Sequence, residues 1–200
     1  MRILEFIHNN YTYDRRLARL RDHLADTLPP NVKVLDVGCG DGQLASMIME
    51  KRSDVEIEGI DVLVRPKCFI PVSRFDGLVI PFSNSSFDLV MFSDVLHHTN
   101  DPLTLLREAV RVSRKGILLK DHTCDGAFAV PTLRLMDKVG NARHGVVLPY
   151  NYWPKHKWLK TFDALGLSIG TWTDDLKIYP GWADLIFGRS LHFVARLDIV

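Results

Sequence analysis

Val34-Leu35-Asp36-Val37-Gly38-Cys39-Gly40-Asp41-Gly42 runs an apolar strand directly into three glycines at alternating positions, and a helix-like stretch follows. Glycine serves where a chain must turn sharply, take a positive φ, or bring its backbone against a ligand with no Cβ between. A strand, such a turn and a helix N-terminus in succession make a site for a nucleotide-like ligand, because the free amides of the first helical turn point at it. The spacing limits which ligand. A dinucleotide fingerprint has glycine at the first, third and sixth places. Counted from Gly38, the sixth place is Gln43 and the third glycine comes early, at Gly42. The turn is therefore not the dinucleotide pattern.

Outward from this turn, strands alternate with helices. Leu17, Leu20, Leu24 and Leu28 recur at three- and four-residue steps among charged residues, which predicts an amphipathic helix from about Tyr13 to Leu28, stopped by Pro29-Pro30. A strand follows at Val32 to Val37, then a helix from about Gly42 to Lys51 with Asp41 at the N-cap. Val55 to Asp61 reads as the next strand. The two prolines between Asp61 and Asp76 leave a loop or short strand. Phe87 to Ser93 is a continuous apolar run of the kind a sheet buried on both faces requires. A helix from Pro102 to Val112 and a strand from Gly116 to Lys120 come next. Beyond lies an irregular stretch to about Pro154 containing one helix near Thr132 to Val139. A helix from Lys155 to Leu165, stopped by Gly166, and paired strands at Leu167 to Trp172 and Leu191 to Leu197 complete the chain. The pattern predicts a mainly parallel α/β sheet with helices on both faces.

Bulk properties narrow the setting. The 200 residues, 46% hydrophobic, suit one globular domain spanning 1-200, in which 1-30 is an N-terminal cap helix. Twenty-five Lys and Arg against 24 Asp and Glu leave +1, so no long-range field draws the chain to nucleic acid or anionic lipid. Cys39, Cys68 and Cys124 are odd in number and widely spaced, which suits a reducing cytoplasm. The N-terminal stretch is broken by Glu5 and His8, which argues against a secretion signal, and no run approaches the roughly 20 apolar residues of a membrane span.

In an open parallel sheet, ligands bind beyond the carboxyl ends of the strands, so polar residues there are the candidates. Asp61 ends its strand nineteen residues after Gly42, where a carboxylate can accept from both hydroxyls of a ribose. Asp76-Gly77 precedes Leu78-Val79-Ile80-Pro81-Phe82 and then Phe87-Asp88-Leu89-Val90. Ser93-Asp94-Val95-Leu96-His97-His98 follows that strand, and Arg111-Val112-Ser113-Arg114-Lys115-Gly116 precedes the next. Together with the glycine turn, this ordered set from about Val34 to Asp121 resembles the class I S-adenosylmethionine (SAM)-dependent methyltransferases, and within them the type 11 family. Two departures stand out: the helix that usually follows the second strand is missing or very short, and a glycine pair is reduced to Gly116.

The resemblance implies a Rossmann-like, doubly wound, mainly parallel sheet with the last strand antiparallel. It also implies that Gly38, Cys39, Gly40 and Gly42 underlie SAM, that Asp36 turns toward its methionine amino group, and that Asp61 with Val62 meets the ribose. Asp76 and the Gly77 backbone would hold the adenine, and Ser93 would close the pocket near the sulfonium. The product would be S-adenosylhomocysteine.

For the acceptor, His122, Asp121 and His97 are the candidate catalytic groups, because His122 follows a strand directly in Lys120-Asp121-His122. A surface or capping role for His122 weighs about equally. His97, His98, His122 and Cys124 lack any paired-ligand spacing, so the sequence calls for no metal. Residues 122-160 exceed a minimal connection and concentrate aromatic and basic side chains. They form either a lid over an apolar or aromatic acceptor or the core beneath a long loop. Tyr11, Tyr13, Arg143, His144, Tyr150 and Tyr152 are the substrate candidates, and a small molecule is the expected partner. Two rival functions are a non-catalytic SAM-binding partner subunit and methylation of a macromolecule such as tRNA or protein. Against the latter stand the neutral charge and the lack of any basic run.

Overall fold

The computed structural model describes residues 2–141, 149–188 and 190–200, with side chains described from Tyr13 onward except at 139–141 and 182. Seven strands form one sheet: β1 (Val32–Val37), β2 (Val55–Asp61), β3 (Val72–Arg74), β4 (Phe87–Ser93), β5 (Ser113–His122), β6 (Leu167–Thr173) and β7 (His192–Ile199). Their order is β3-β2-β1-β4-β5-β7-β6, and β7 runs antiparallel to both its neighbours while the other pairs are parallel. The helices are α1 (Arg2–Thr27), α2 (Gln43–Lys51), α3 (Pro102–Val112), α4 (Ala129–Asn141) and α5 (Lys155–Ala164), followed by a short helical segment over 181–188.

Side chains alternate between the two faces of a pleated strand, and each face here carries its own core. Leu35 and Val37 of β1, Val90 and Phe92 of β4, and Ile117 and Leu119 of β5 pack with Leu105, Leu106 and Ala109 of α3 and Trp158 and Phe162 of α5. On the opposite face Val34, Leu89, Met91 and Leu118 meet Leu20 and Leu24 of α1 and Ala45 and Ile48 of α2. Helices therefore cover both faces, as the continuous apolar run of β4 requires.

Several boundaries differ from the expected ones. The first helix begins at Arg2 instead of Tyr13, because burial of Leu20 and Leu24 holds a helix whose N-terminal sequence gives little periodic signal. At α2 the N-cap is Gly42, at φ 77°, rather than Asp41, whose Oδ1 still accepts from the Gln43 amide at 3.1 Å. Residues 62–71 form no helix, and β3 is a three-residue edge strand against Gly59, Ile60 and Asp61. β5 extends three residues further toward the N-terminus and two further toward the C-terminus than the expected Gly116 to Lys120, so Asp121 and His122 join Lys120 inside the sheet.

Gly116 is a packing glycine as well as a turn remnant. A Cβ there would stand 1.9 Å from the Leu197 carbonyl oxygen on β7, a backbone atom that can move only if the sheet does. Gly116→Ala is therefore expected to destabilise the fold by more than about 2 kcal/mol in urea unfolding. A loss under about 0.5 kcal/mol would mean that β5 and β7 do not meet in this register.

Candidate functional site

The site lies at the carboxyl ends of β1, β2, β4 and β5, and the glycine turn builds one wall. Gly38, Gly40 and Gly42 have φ of 75°, 63° and 77°, all in the region that L side chains avoid. The reasons differ along the turn. A Cβ on Gly38 would lie 2.7 Å from Val95, and one on Gly42 would lie 2.3 Å from Ile70, so these two are fixed by packing. A Cβ on Gly40 would meet nothing within 4 Å. Gly40 thus turns its open side to a cavity.

Two adjoining cavities share Gly38, Gly40, Arg16 and Asp94 in their walls. The one of about 600 Å³ is lined by Tyr13, Asp36, Cys39, Gln43 and Ser93 among others. The other, of about 850 Å³, is lined by Asp61, Val62, Asp76, Gly77, His97, His98, His122 and Asp137 among others. The sequence-predicted cofactor residues are thus brought together around the shared wall, except Gly42, which packs beneath it.

Each carboxylate there has a distinct state. Asp61 accepts from the Gly40 amide through Oδ2 and from the Leu63 amide through Oδ1, both at 2.8 Å, which ties the β2 end to the glycine turn. Asp76 accepts through one oxygen from the Leu78 and Val79 amides, and these bonds hold its carboxyl below the usual range. Asp36 is 4% exposed, and none of the described donors reaches its carboxylate. Burial, with the Asp61 charge nearby, pushes its pKa up to about 7.

At the β4 and β5 ends lies a buried polar cluster. His97 Nδ1 stands 2.6 Å from Asp121 Oδ1, and Asp121 also accepts from the Leu96 and His122 amides. Burial alone would lower the His97 pKa, but the Asp121 carboxylate outweighs it and holds the ring charged. His122 is also buried, at 3% exposure. Burial, with Lys120 and His97 beside it, holds His122 well below the ordinary imidazole range, so it is neutral. The surface role considered for it does not apply. Its Nδ1 lies 3.3 Å from His97 Nδ1, with Asp121 and Asp94 oxygens at 3.4 and 3.7 Å.

Sequence reasoning left Asp94, Lys120 and Asp137 without roles. Lys120, fully buried, donates to Asp94 Oδ1, and Arg16 donates to Asp94 Oδ2 at 2.5 Å. His192 closes the chain: its Nε2 donates to the Phe187 carbonyl at 3.1 Å, so its Nδ1 accepts from Lys120 at 3.3 Å. A lysine inside the run Ile117-Leu118-Leu119-Lys120 was the available signal, since a buried ammonium requires a partner. Nothing local named Asp94 as that partner.

The substrate candidates separate. Tyr13 lines the smaller cavity and its hydroxyl reaches Gln43 at 3.3 Å. Tyr152 donates to Asp137 and stacks on His97 at 5.6 Å between centroids, behind the larger cavity, and Tyr150 packs against Arg134. The Tyr11 side chain, Arg143 and His144 lie outside the described residues. Of the aromatics in 122-160, Trp153 and Trp158 are core, whereas α4 supplies Met136 and Asp137 to the cavity wall.

The strand order, with β7 reversed, and a glycine turn at the β1 end define the class I methyltransferase fold. The family model described as a methyltransferase domain matches residues 8–169, and the chain belongs to that family. It is 29% identical over 133 residues to 27-O-demethylrifamycin SV methyltransferase of Amycolatopsis mediterranei, covering 56% of this chain and 48% of that one. It is 32% identical over 104 residues to 2-methyl-6-phytyl-1,4-hydroquinone methyltransferase of Synechocystis, covering 47% and 32%. The chain thus spans half or less of the length of these relatives. In fold it is similar to geranyl diphosphate C-methyltransferase of Streptomyces coelicolor, solved with S-adenosylhomocysteine, with a TM-score of 0.67 over 92% of this chain and 76% of that one at 14% identity. No helix among the described residues is long and apolar enough to cross a membrane.

Proposed function

We propose that the chain is a SAM-dependent methyltransferase acting on a small molecule, and that residues 122-160 form the acceptor side of its site. The observation that carries this reading is Gly40, whose missing Cβ leaves open the direction facing both cavities while Asp36 stands unpaired beside it. Such a donor set fits SAM. Asp36 would take the methionine amino group, directly or through water, Asp61 the ribose hydroxyls, and Asp76 with the Gly77 backbone the adenine edge, with Val62 and Ser93 beside them. Bound there, SAM supplies an electrophilic methyl group on a sulfonium, so transfer needs a nucleophile held in line more than it needs elaborate chemistry.

The chain's own groups do the rest. His122, neutral and in the cavity wall, is the base that takes a proton from an acceptor arriving protonated. Asp121 holds His97 charged and accepts from the His122 amide, fixing both rings. Both relatives above are named for small-molecule acceptors, and the +1 charge offers no field for RNA. Three free cysteines suit the cytoplasm.

Gly40→Ala tests the reading. Its Cβ meets no protein atom and its φ of 63° strains the fold by only about 1–2 kcal/mol. Affinity for S-adenosylhomocysteine should nevertheless fall roughly tenfold or more in calorimetric titration. A folded variant that binds as tightly as the wild type would remove Gly40 from the cofactor wall and overturn the proposal.

A further inference from the structure

Two imidazole nitrogens in the wall of the larger cavity have no hydrogen-bond partner among the described residues: His97 Nε2 and His98 Nδ1, both buried. His97 is itself 1% exposed, and its Nε2, which carries the second ring proton while the ring is charged, faces Asp137 Oδ2 at 3.6 Å; a cation bound there takes the place of that proton and releases it. Donor atoms of His97, His98 and Asp137 all lie within 4.8 Å of one another. A buried polar atom left unsatisfied costs about 1–3 kcal/mol, and two in one turn beside one carboxylate call for a common partner.

The outer atoms of His97 and Asp137 are already held as ligands are around a bound metal. His97 Nδ1 donates to Asp121 Oδ1 at 2.6 Å, the carboxylate–histidine pairing that fixes the ring and makes the other nitrogen a better ligand. Asp137 accepts from the Tyr152 hydroxyl, which orients it in the same way. The 3.6 Å span is close to the roughly 3.3 Å between two donors of a tetrahedral zinc centre with bonds near 2.0 Å. His97 and His98 come from the turn after β4 and Asp137 from α4, so no paired-ligand spacing announces them in the sequence. A second trio, Asp94, His97 and His122, is less suited, because Lys120 and Arg16 already hold Asp94.

We propose that His97, His98 and Asp137 form a divalent-cation site of the zinc type, with its remaining coordination position open to the larger cavity. An open position there would bind an oxygen anion, such as a phenolate, enolate or carboxylate. That it belongs to the methyl acceptor rests on the methyl-transfer reading, while the cation site does not.

Titration of the untagged chain with Co²⁺, followed by the visible ligand-field band, tests the proposal. One Co²⁺ per chain, displaced by Zn²⁺ and bound roughly a hundredfold or more weakly in His98→Ala and in Asp137→Asn, is the expected result. No stoichiometric band, or affinity unchanged in both variants, would overturn it. Titrating the same samples with S-adenosylhomocysteine confirms that the variants are folded and separates the two readings. Cofactor binding without Co²⁺ binding sinks the cation site alone. Co²⁺ binding that depends on His98 and Asp137, with no cofactor binding, upholds the site and sinks the methyl-transfer reading.

Discussion

Asp36→Asn is expected to make the free protein more stable at pH 8 while weakening its hold on SAM. The folded chain keeps a proton on Asp36 up to about pH 7, whereas an unfolded carboxyl releases it near 3.8. The folded state therefore binds this proton more tightly, and stability falls as pH rises from about 4 to about 7 and then levels. The loss at pH 8 is about 4 kcal/mol at most, and an uncharged amide of the same shape avoids it. The melting temperature of Asp36→Asn should exceed that of the wild type by several degrees at pH 8 and match it near pH 4. In exchange, a charge-assisted bond to the methionine ammonium is lost, about 1.5–3 kcal/mol or roughly tenfold to a hundredfold in affinity. A variant less stable at pH 8 would show that Asp36 has a buried partner, and one that binds SAM normally would show that it does not face the cofactor.

Lys120→Met should cost about 3–5 kcal/mol in urea unfolding, because it leaves Asp94 buried against Arg16 alone and removes the donor from which His192 Nδ1 accepts its hydrogen bond. The mechanism is the unpaired charge and not lost volume, since Met fills most of the lysine stem. Adding Asp94→Asn should therefore recover about half of the loss, in keeping with the near-neutral cost of removing a buried pair whole. A single variant that loses less than about 1 kcal/mol, or a double variant worse than the single, would contradict the pairing.

These two residues mark what was legible in the sequence. Asp36 belongs to a local pattern: strand, turn and helix within one run, where period and glycine spacing predicted β1, β2, β4 and α3 at their observed ends. Asp61 stood out as a strand-end acid nineteen residues after the turn and Asp76 through the resemblance, and both line the larger cavity. Lys120 belongs to a contact made across 26 residues to Asp94 and a further 72 to His192, and no periodicity encodes which charge answers it. Asp137 was hidden for a similar reason, lying on a helix whose other residues read only as a generic amphipathic segment. At Asp41 the failure was local: this helix entry has glycine in the left-handed region in place of a side-chain cap, so the ordinary N-cap rule picks the residue before it. His122 looked like a residue beyond a strand because the expected strand stopped at Lys120, yet Lys120 and Asp121 find partners in Asp94 and His97, just past the end of β4, and the strand continues through them.

Calorimetric titration of the wild-type chain with SAM, S-adenosylhomocysteine and NADH addresses the central claim most directly, that the early third glycine at Gly42 makes this a SAM turn. The account predicts one site for each of the first two ligands and no heat of binding for NADH. Binding of NADH with none of SAM would contradict it.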